Sequence, residues 1–392
     1  PAVSSLTPSS AASDVYNRQI LICLGTTALV VLGLIMLAST SVWVETADSK
    51  YSHLIKQSRW TAIGVVLASI VACMDYRIFK KHAKFIFISS VILLILCYVP
   101  GIKHTVNGET RWIRLPVLGQ FQPSEIAKLG VIIAVGAYLA HFQSETRTFK
   151  KGFIIPGILI VVPVGLIFFE KDMGTAVGLA AACFAILYIA GTRFIYLILS
   201  SISGLTLLFL AVYTNPNRWD RITSFTDMEA NKLGAALQQW RSLLAFSNGG
   251  VDGLGLGNGA EKHGYLPFAH TDFIFPIIGE ELGLWFTLGT VLCFVIIAVY
   301  GIGVAIYAND MFGRLLAIGL TCLIVVPSMM NIGVTTGLLP NTGLPLPFVS
   351  YGGTNLVFTL VAIGLLISIH RRSKFDDEDH TKVSKGVTRV RL

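Results

Sequence analysis

Apolar runs separated by short polar connectors set the character of the chain; they fall at roughly 19–42, 58–74, 85–101, 126–142, 153–169, 174–191, 194–213, 280–307, 315–335 and 354–370. A bilayer core of about 30 Å takes about 20 apolar residues to cross as a helix. The pattern therefore predicts an all-α integral membrane protein with ten transmembrane helices, the second of them short. Pro156, Pro163 and Pro327 fall inside runs, where each removes a backbone donor and predicts a kink. Between the seventh and eighth runs stands a long polar connector, 214–271. Within it, Leu233 to Phe246 shows apolar residues at helical spacing, the mark of an amphipathic helix on the membrane surface. The last connector, 337–353, is apolar yet broken by three prolines and four glycines. Such backbone is tolerated at membrane depth only inside protein or along a cavity. This loop is expected to dip inward and wall a site, with Ser350, Tyr351 and its glycine amides open to a polar ligand.

Composition excludes a soluble globule: of 392 residues, 54% are hydrophobic and 13% charged, against about 25% charged in an ordinary domain. The net charge of +8 raises nucleic acid as a partner. Its Lys and Arg, however, sit in short connectors and in the tail after Arg371, with no aromatic-interleaved basic surface, so anionic membrane lipid is the expected partner. All six cysteines lie in apolar runs, at none of the spacings of a zinc site, and read as fillers. No cleavable signal is expected in Pro1 to Asn17. With that segment inside the cell, seventeen of the thirty Lys and Arg fall on the inner side, five in the 214–279 connector and eight outside. The bias puts both termini in the cytoplasm and the polar loops on the opposite face. The expected organisation is a flexible cytoplasmic segment (1–17), a polytopic membrane domain (18–372) that includes the 214–271 outer loop, and a basic cytoplasmic tail (373–392).

Candidate chemistry concentrates between Gly253 and Leu284. Asp272 marks the point where a polar loop enters an apolar run, and a carboxylate there is costly unless used or paired. Two readings stand: a general base, or a helix cap or ion pair with an arginine. His270 reads as a neighbour that orients it, and Glu280 and Glu281 as supporting carboxylates. Glu125 and Lys128, three apart on one helix face, either close the helix end as an ion pair or leave Lys128 to hold an anionic ligand. Asp172 is placed to cap the sixth helix. Arg218, Arg221 and Arg241 offer guanidinium forks that match phosphate oxygens. The run from Gly255 to Ala260 fits a dinucleotide fingerprint only nominally, since no strand precedes it and no βαβ unit surrounds it. Its glycines are expected to bring backbone close to a head group or a neighbouring helix.

Several motifs together resemble the SEDS family, the peptidoglycan glycosyltransferases of the FtsW and RodA type. They are QPSE-x-x-K from Gln122, the D-x-G-T turn at Asp172, the glycine run, LPFAHTDFIFPIIGEELG and GLLPNTGLPLPFVSYGG. The likeness spans roughly residues 18–372, and the Ala269-His270 and Ile277 to Glu281 segments resemble the division branch. It implies polymerisation of lipid II with release of undecaprenyl pyrophosphate, in the bacterial cytoplasmic membrane with the active site on its outer face. Asp272 is then the base, and Arg111, Arg114, Lys128, Arg218, Arg221, Gln238, Arg241, Lys262, Ser350 and Tyr351 are the substrate and pyrophosphate contacts. Glu125, His270, Glu280 and Glu281 support them. The implied partners are a class B penicillin-binding protein, a single-pass transpeptidase, and other divisome or elongasome membrane proteins. A divalent cation, Mg or Mn, can bridge pyrophosphate and carboxylates but has no dedicated ligand motif, and no organic cofactor is expected. The chain departs from the family at Glu170-Lys171, where Gln-Pro is usual, at Ala236-Leu237 in place of Gly-Tyr, and at Pro276, so no role carries over to Glu170, Lys171 or Leu237. A lipid II flippase and a non-catalytic scaffold are the rival readings. Charges at the ends of the runs rather than their middles favour chemistry at one face over transport.

Overall fold

The computed structural model describes residues 8–44, 51–99, 103–106, 109–115 and 119–389. In chain order the elements are α1 (Pro8–Val44), α2 (Ser52–Cys73), α3 (Arg77–Lys81), α4 (Ala83–Leu96), β1 (Lys103–Val106), β2 (Glu109–Leu115), β3 (Gly119–Phe121) and α5 (Pro123–His141). A π-helical turn, Lys150–Ile154, leads into α6 (Ile155–Phe169), followed by α7 (Met173–Ile189), α8 (Phe194–Tyr213), α9 (Pro216–Thr226), α10 (Leu237–Gly249), α11 (Ile274–Ile306), α12 (Met311–Thr335) and α13 (Gly353–Arg389).

Among the described residues, eight helical stretches are long and apolar enough to cross a membrane: Gln19–Ser41, Lys150–Phe169, Gly353–Ser373 and the whole of α2, α5, α8, α11 and α12. Two more of the apolar runs, α4 and α7, form shorter apolar helices. The core gathers where α12 packs on α5, α7 and α11; α13 lies along α2, and both α1 and α10 lie against α11. The outer surface is apolar. Along α8 only Leu197 is buried, while Phe194, Ile202, Leu205, Leu207 and Phe209 are exposed. Apolar faces of this extent need lipid tails to cover them, and the chain is a multi-pass membrane protein.

Several expectations shift. The connector before α5 is not a plain loop, because β1, β2 and β3 form a three-stranded antiparallel sheet in which Ile113 pairs with both Lys103 and Phe121. The amphipathic helix begins at Leu237 rather than Leu233; the residues from Asp227 to Ala236 are turns, and Gly234 is a poor helix interior. Pro163 and Pro327 lie inside helices, and Pro156 stands at the junction where the π-helical turn Lys150–Ile154 passes into α6. The 337–353 loop is non-helical and reaches inward, with Leu346, Phe348, Val349 and Ser350 buried.

Helix α11 starts six residues ahead of its expected run and is interrupted at Gly283, which has φ 76° and ψ −169°. Before the break, Ile274 to Glu281 is buried. After it, Leu284, Trp285 and Phe286 face outward. The interruption divides a buried half-helix, which carries Glu280 and Glu281, from a lipid-facing half.

Candidate active site

Asp272 lies in the turn just ahead of α11 and is partly exposed. Backbone contacts hold it from two sides. Asn331 of α12 donates from Nδ2 to the carbonyl of Asp272 at 2.7 Å and to the carbonyl of Leu344 at 2.7 Å. Ser350 Oγ donates to the carbonyl of Thr271 and accepts from the amide of Leu346 at 2.8 Å, while the Tyr351 amide donates to the carbonyl of His270 at 3.0 Å. The inward loop thus grips residues 270–272 by their main chain. The carboxylate itself accepts one short contact, from Thr271 Oγ1 at 2.9 Å.

The structural alternatives for Asp272 find no support. The N-cap of α11 is Phe273, without a side-chain cap bond, and among the described residues Asp272 makes no ion pair within the usual contact distance. Burial raises its carboxyl above the ordinary range, opposed by the Thr271 hydrogen bond, by its own amide and by the charge of Arg221. The result is a partly exposed carboxylate just ahead of a helix, its main chain fixed by Asn331 and the inward loop.

The expected cations divide into two sets. Arg221 on α9 is exposed, and its charge reaches Asp272. Arg218 on the same helix lies over the Phe168 ring, 5.6 Å from its centroid; burial and then the charges of Arg221 and Arg111 depress its pKa. Arg111 on β2 donates to the Lys171 carbonyl at 2.7 Å and lies 3.7 Å from Asp172. The charges of Arg221 and Arg111 both act on Arg218, and that of Arg221 also acts on Asp272. Arg114 is on the same strand, its side chain outside the described residues.

The second set is engaged within the chain, as Arg111 also is through Asp172. Lys128 pairs with Glu125 at 2.8 Å, and Asn355 donates to Glu125 at 3.3 Å, so the ion-pair reading is realised there. Arg241 lies 3.4 Å from Glu261 and over the Tyr265 ring. Gln238 accepts from Asn341 at 2.6 Å and donates to the Pro267 carbonyl at 3.4 Å, tying α10 to the loops on either side of Asp272. Lys262, expected at the pyrophosphate, is 1% exposed and points inward to Glu281 at 2.6 Å. Its burial takes it out of reach of a ligand. Asp172 caps α7 through the Thr175 amide at 3.1 Å, as expected, and also accepts from Gln122 at 3.3 Å.

Some residues close to Asp272 escaped the sequence reading. His53, on the first turn of α2, has its ring 5.1 Å from that of His270 and 4.7 Å from that of Tyr351. Gln57, one turn on, donates to the Ser350 carbonyl and accepts from the Gly352 amide, each at 3.2 Å. Asn331 was the findable one, because a buried amide in an apolar helix requires a polar partner. Among the described residues no three His, Cys, Asp or Glu side chains come together as a metal site built from protein alone requires.

The fold and site define a class: a polytopic helical membrane protein with a partly exposed carboxylate gripped by an inward loop and within reach of the charge of Arg221. Comparison with known proteins narrows it. The family model described as "Cell cycle protein", covering FtsW, RodA and SpoVE, matches residues 19–375. A probable peptidoglycan glycosyltransferase FtsW of Geobacter sulfurreducens is 35% identical over 363 residues, which is 92% of this chain and 97% of the relative. Among solved structures, a chain of a peptidoglycan synthase complex that coordinates polymerization and crosslinking superposes with a TM-score of 0.74 at 26% identity, covering 90% of this chain and 97% of that one. The rod shape determining protein RodA of Thermus thermophilus gives a TM-score of 0.67 at 25% identity, covering 89% and 95%. The chain belongs to the FtsW/RodA/SpoVE family, in agreement with the resemblance carried by its motifs.

Proposed function

We infer that this chain is a peptidoglycan glycosyltransferase that polymerises lipid II in cell division, with Asp272 as its general base. The relatives supply the reaction class. One observation carries the residue assignment: Asp272 is fixed through its main chain by Asn331 and the inward loop, while its carboxylate is spent on neither a cap nor an ion pair.

The reaction joins an acceptor sugar hydroxyl to the anomeric carbon of a lipid-linked donor. The hydroxyl oxygen forms the new glycosidic bond while the bond from that carbon to the pyrophosphate oxygen breaks. The hydroxyl proton passes to Asp272, whose raised pKa brings it nearer the working range of a base. The electron pair leaves with undecaprenyl pyrophosphate, and Arg221, Arg218 and Arg111 stabilise that charge as it develops. Lys128 acts through its pair with Glu125, holding the entry of α5 beside the first turn of α13.

Ten crossings follow if α4 and α7 span together with the eight longer stretches, and the distribution of Lys and Arg then sets both termini in the cytoplasm. Residues 18–372 form the catalytic membrane domain, with 1–17 and 373–392 on the inner side and Asp272 on the outer side. A class B penicillin-binding protein is the expected partner, on the strength of the synthase complex that the chain resembles. The test is purified protein with labelled lipid II, alone and with its class B transpeptidase, resolved on a gel. Glycan polymer is the expected product. Intact lipid II under both conditions, from folded protein, would overturn the reading.

A further inference from the structure

The glycine-rich run and the first turns of α11 close on one another around a buried ionic clasp. Glu281, fully buried, accepts from Lys262 Nζ at 2.6 Å, from Ser39 Oγ at 2.8 Å on each oxygen and from the Gly257 amide at 3.0 Å; Lys262 also donates to Ser39 Oγ at 2.8 Å. Glu280, also fully buried, accepts from the amides of Ala260 at 2.9 Å and Glu261 at 3.2 Å. The main chains run together as well: Leu254 and Gly255 donate to the carbonyls of Glu280 and Glu281, each at 2.9 Å. This explains the glycines, since a Cβ at Gly253 would sit 2.4 Å from the Glu281 carbonyl oxygen.

Asp272 stands between the two halves of this clasp, ten residues after Lys262 and nine before Glu281. The segment from His263 to Phe273 is therefore a loop whose base is locked by buried charge while its tip carries the base. Helix α1 joins both sides of the arrangement. Ser39 enters the clasp, and two turns earlier Gly33 packs so tightly on the inward loop that a Cβ there would lie 2.7 Å from the Val349 carbonyl oxygen.

We propose that Lys262, Glu281 and Ser39, with Glu280, are positioning residues that set the reach of Asp272 towards the acceptor hydroxyl. The proposal rests on the reading of Asp272 as the base. Buried ion pairs add little net stability over an apolar replacement, so their use here is geometric: two charges and a hydroxyl accept one register of the loop and reject its neighbours. Displacement of a catalytic group by about 1 Å costs up to a hundredfold in rate.

The test uses the full chain with its transpeptidase partner and labelled lipid II. The double variant Lys262→Met with Glu281→Gln removes both charges of the pair together, while leaving Glu280 its bonds to the Ala260 and Glu261 amides. It is expected to fold and bind the partner, to keep KM for lipid II within about threefold, and to lose roughly tenfold to a hundredfold in kcat. Ser39→Ala keeps the ion pair and is the milder probe, expected to lose kcat severalfold, with Ser39→Thr regaining it because the hydroxyl returns. A folded double variant with wild-type kcat, or a Ser39→Ala protein with wild-type kcat, would overturn the proposal. Asp272→Asn assayed alongside separates the two ideas: an active Asp272→Asn protein overturns the base reading, whereas an inactive one beside a wild-type-like clasp variant overturns the clasp alone.

Discussion

Arg111 and Arg221 come from a strand and a helix far apart in sequence, yet their charges meet at Arg218. Pooled charge of this kind suits a pyrophosphate leaving group, and it ranks the cations by experiment. Arg221→Ala is expected to lower kcat/KM by on the order of a hundredfold, as loss of one transition-state donor does, and Arg221→Lys to recover only part, since a point charge replaces a fork. Steady-state kinetics with lipid II checks both. The proton chemistry has its own signature. Because burial raises the Asp272 carboxyl and the Thr271 hydroxyl opposes that shift, Thr271→Val should move the acid limb of the kcat/KM profile to higher pH. An unmoved limb would show that Asp272 is not the titrating base.

Glu170 gives a second pH effect, on stability. It is fully buried, and burial first, then the nearby Asp172, lift its pKa from 4.5 to about 8. A raised carboxyl favours the native state while neutral, so that contribution is complete below about 4.5 and is lost as pH rises through about 8. Thermal unfolding across this window should show falling stability in the wild type and a flatter profile in Glu170→Gln. Asp272 was legible in the sequence because a carboxylate at a polar-to-apolar junction is expensive wherever it lies. Lys262 was not, because a sequence gives a charge but not its partner, and Glu281 lies across a folded loop. His53 was equally hidden: one histidine at a helix start has no distinguishing pattern until the fold brings it to His270.

At the scale of elements, hydrophobic periodicity carried the helices and missed what depends on pairing. Each of the ten apolar runs holds a helix among the described residues, since backbone in lipid has no other way to satisfy its polar groups within one segment. The small sheet before α5 was missed although Asn107-Gly108 stands between β1 and β2 in the sequence, the strongest short hairpin signal. Two of its strands, β1 and β3, are too short for their alternation to register. The break in α11 was also invisible, because Gly283 lies within a continuous apolar stretch. It is required nonetheless: a Cβ there would meet the Val251 carbonyl oxygen at 2.4 Å, in addition to the positive φ. Gly283→Ala is expected to destabilise the protein by on the order of 2 kcal/mol, read as a lower Tm in detergent, with polymer yield reduced because Glu280 and Glu281 lie just ahead of the break.

For the whole molecule, the proposed orientation rests on the asymmetry of Lys and Arg between the connectors. On a cysteine-free background, single cysteines placed between 220 and 260 should react with an impermeant reagent in intact cells, and those in 143–152 only after permeabilisation; the opposite pattern would invert the orientation. The central claim, that a carboxylate gripped by its main chain serves as the base, has a more direct test. Asp272→Asn preserves size and capping ability, since Asn caps about as well as Asp, and removes only the basicity. Purified with its partner and given labelled lipid II, the variant is expected to fold and associate as the wild type does while losing polymer by on the order of a hundredfold or more. Glycan strands at the wild-type rate from folded Asp272→Asn would contradict the account.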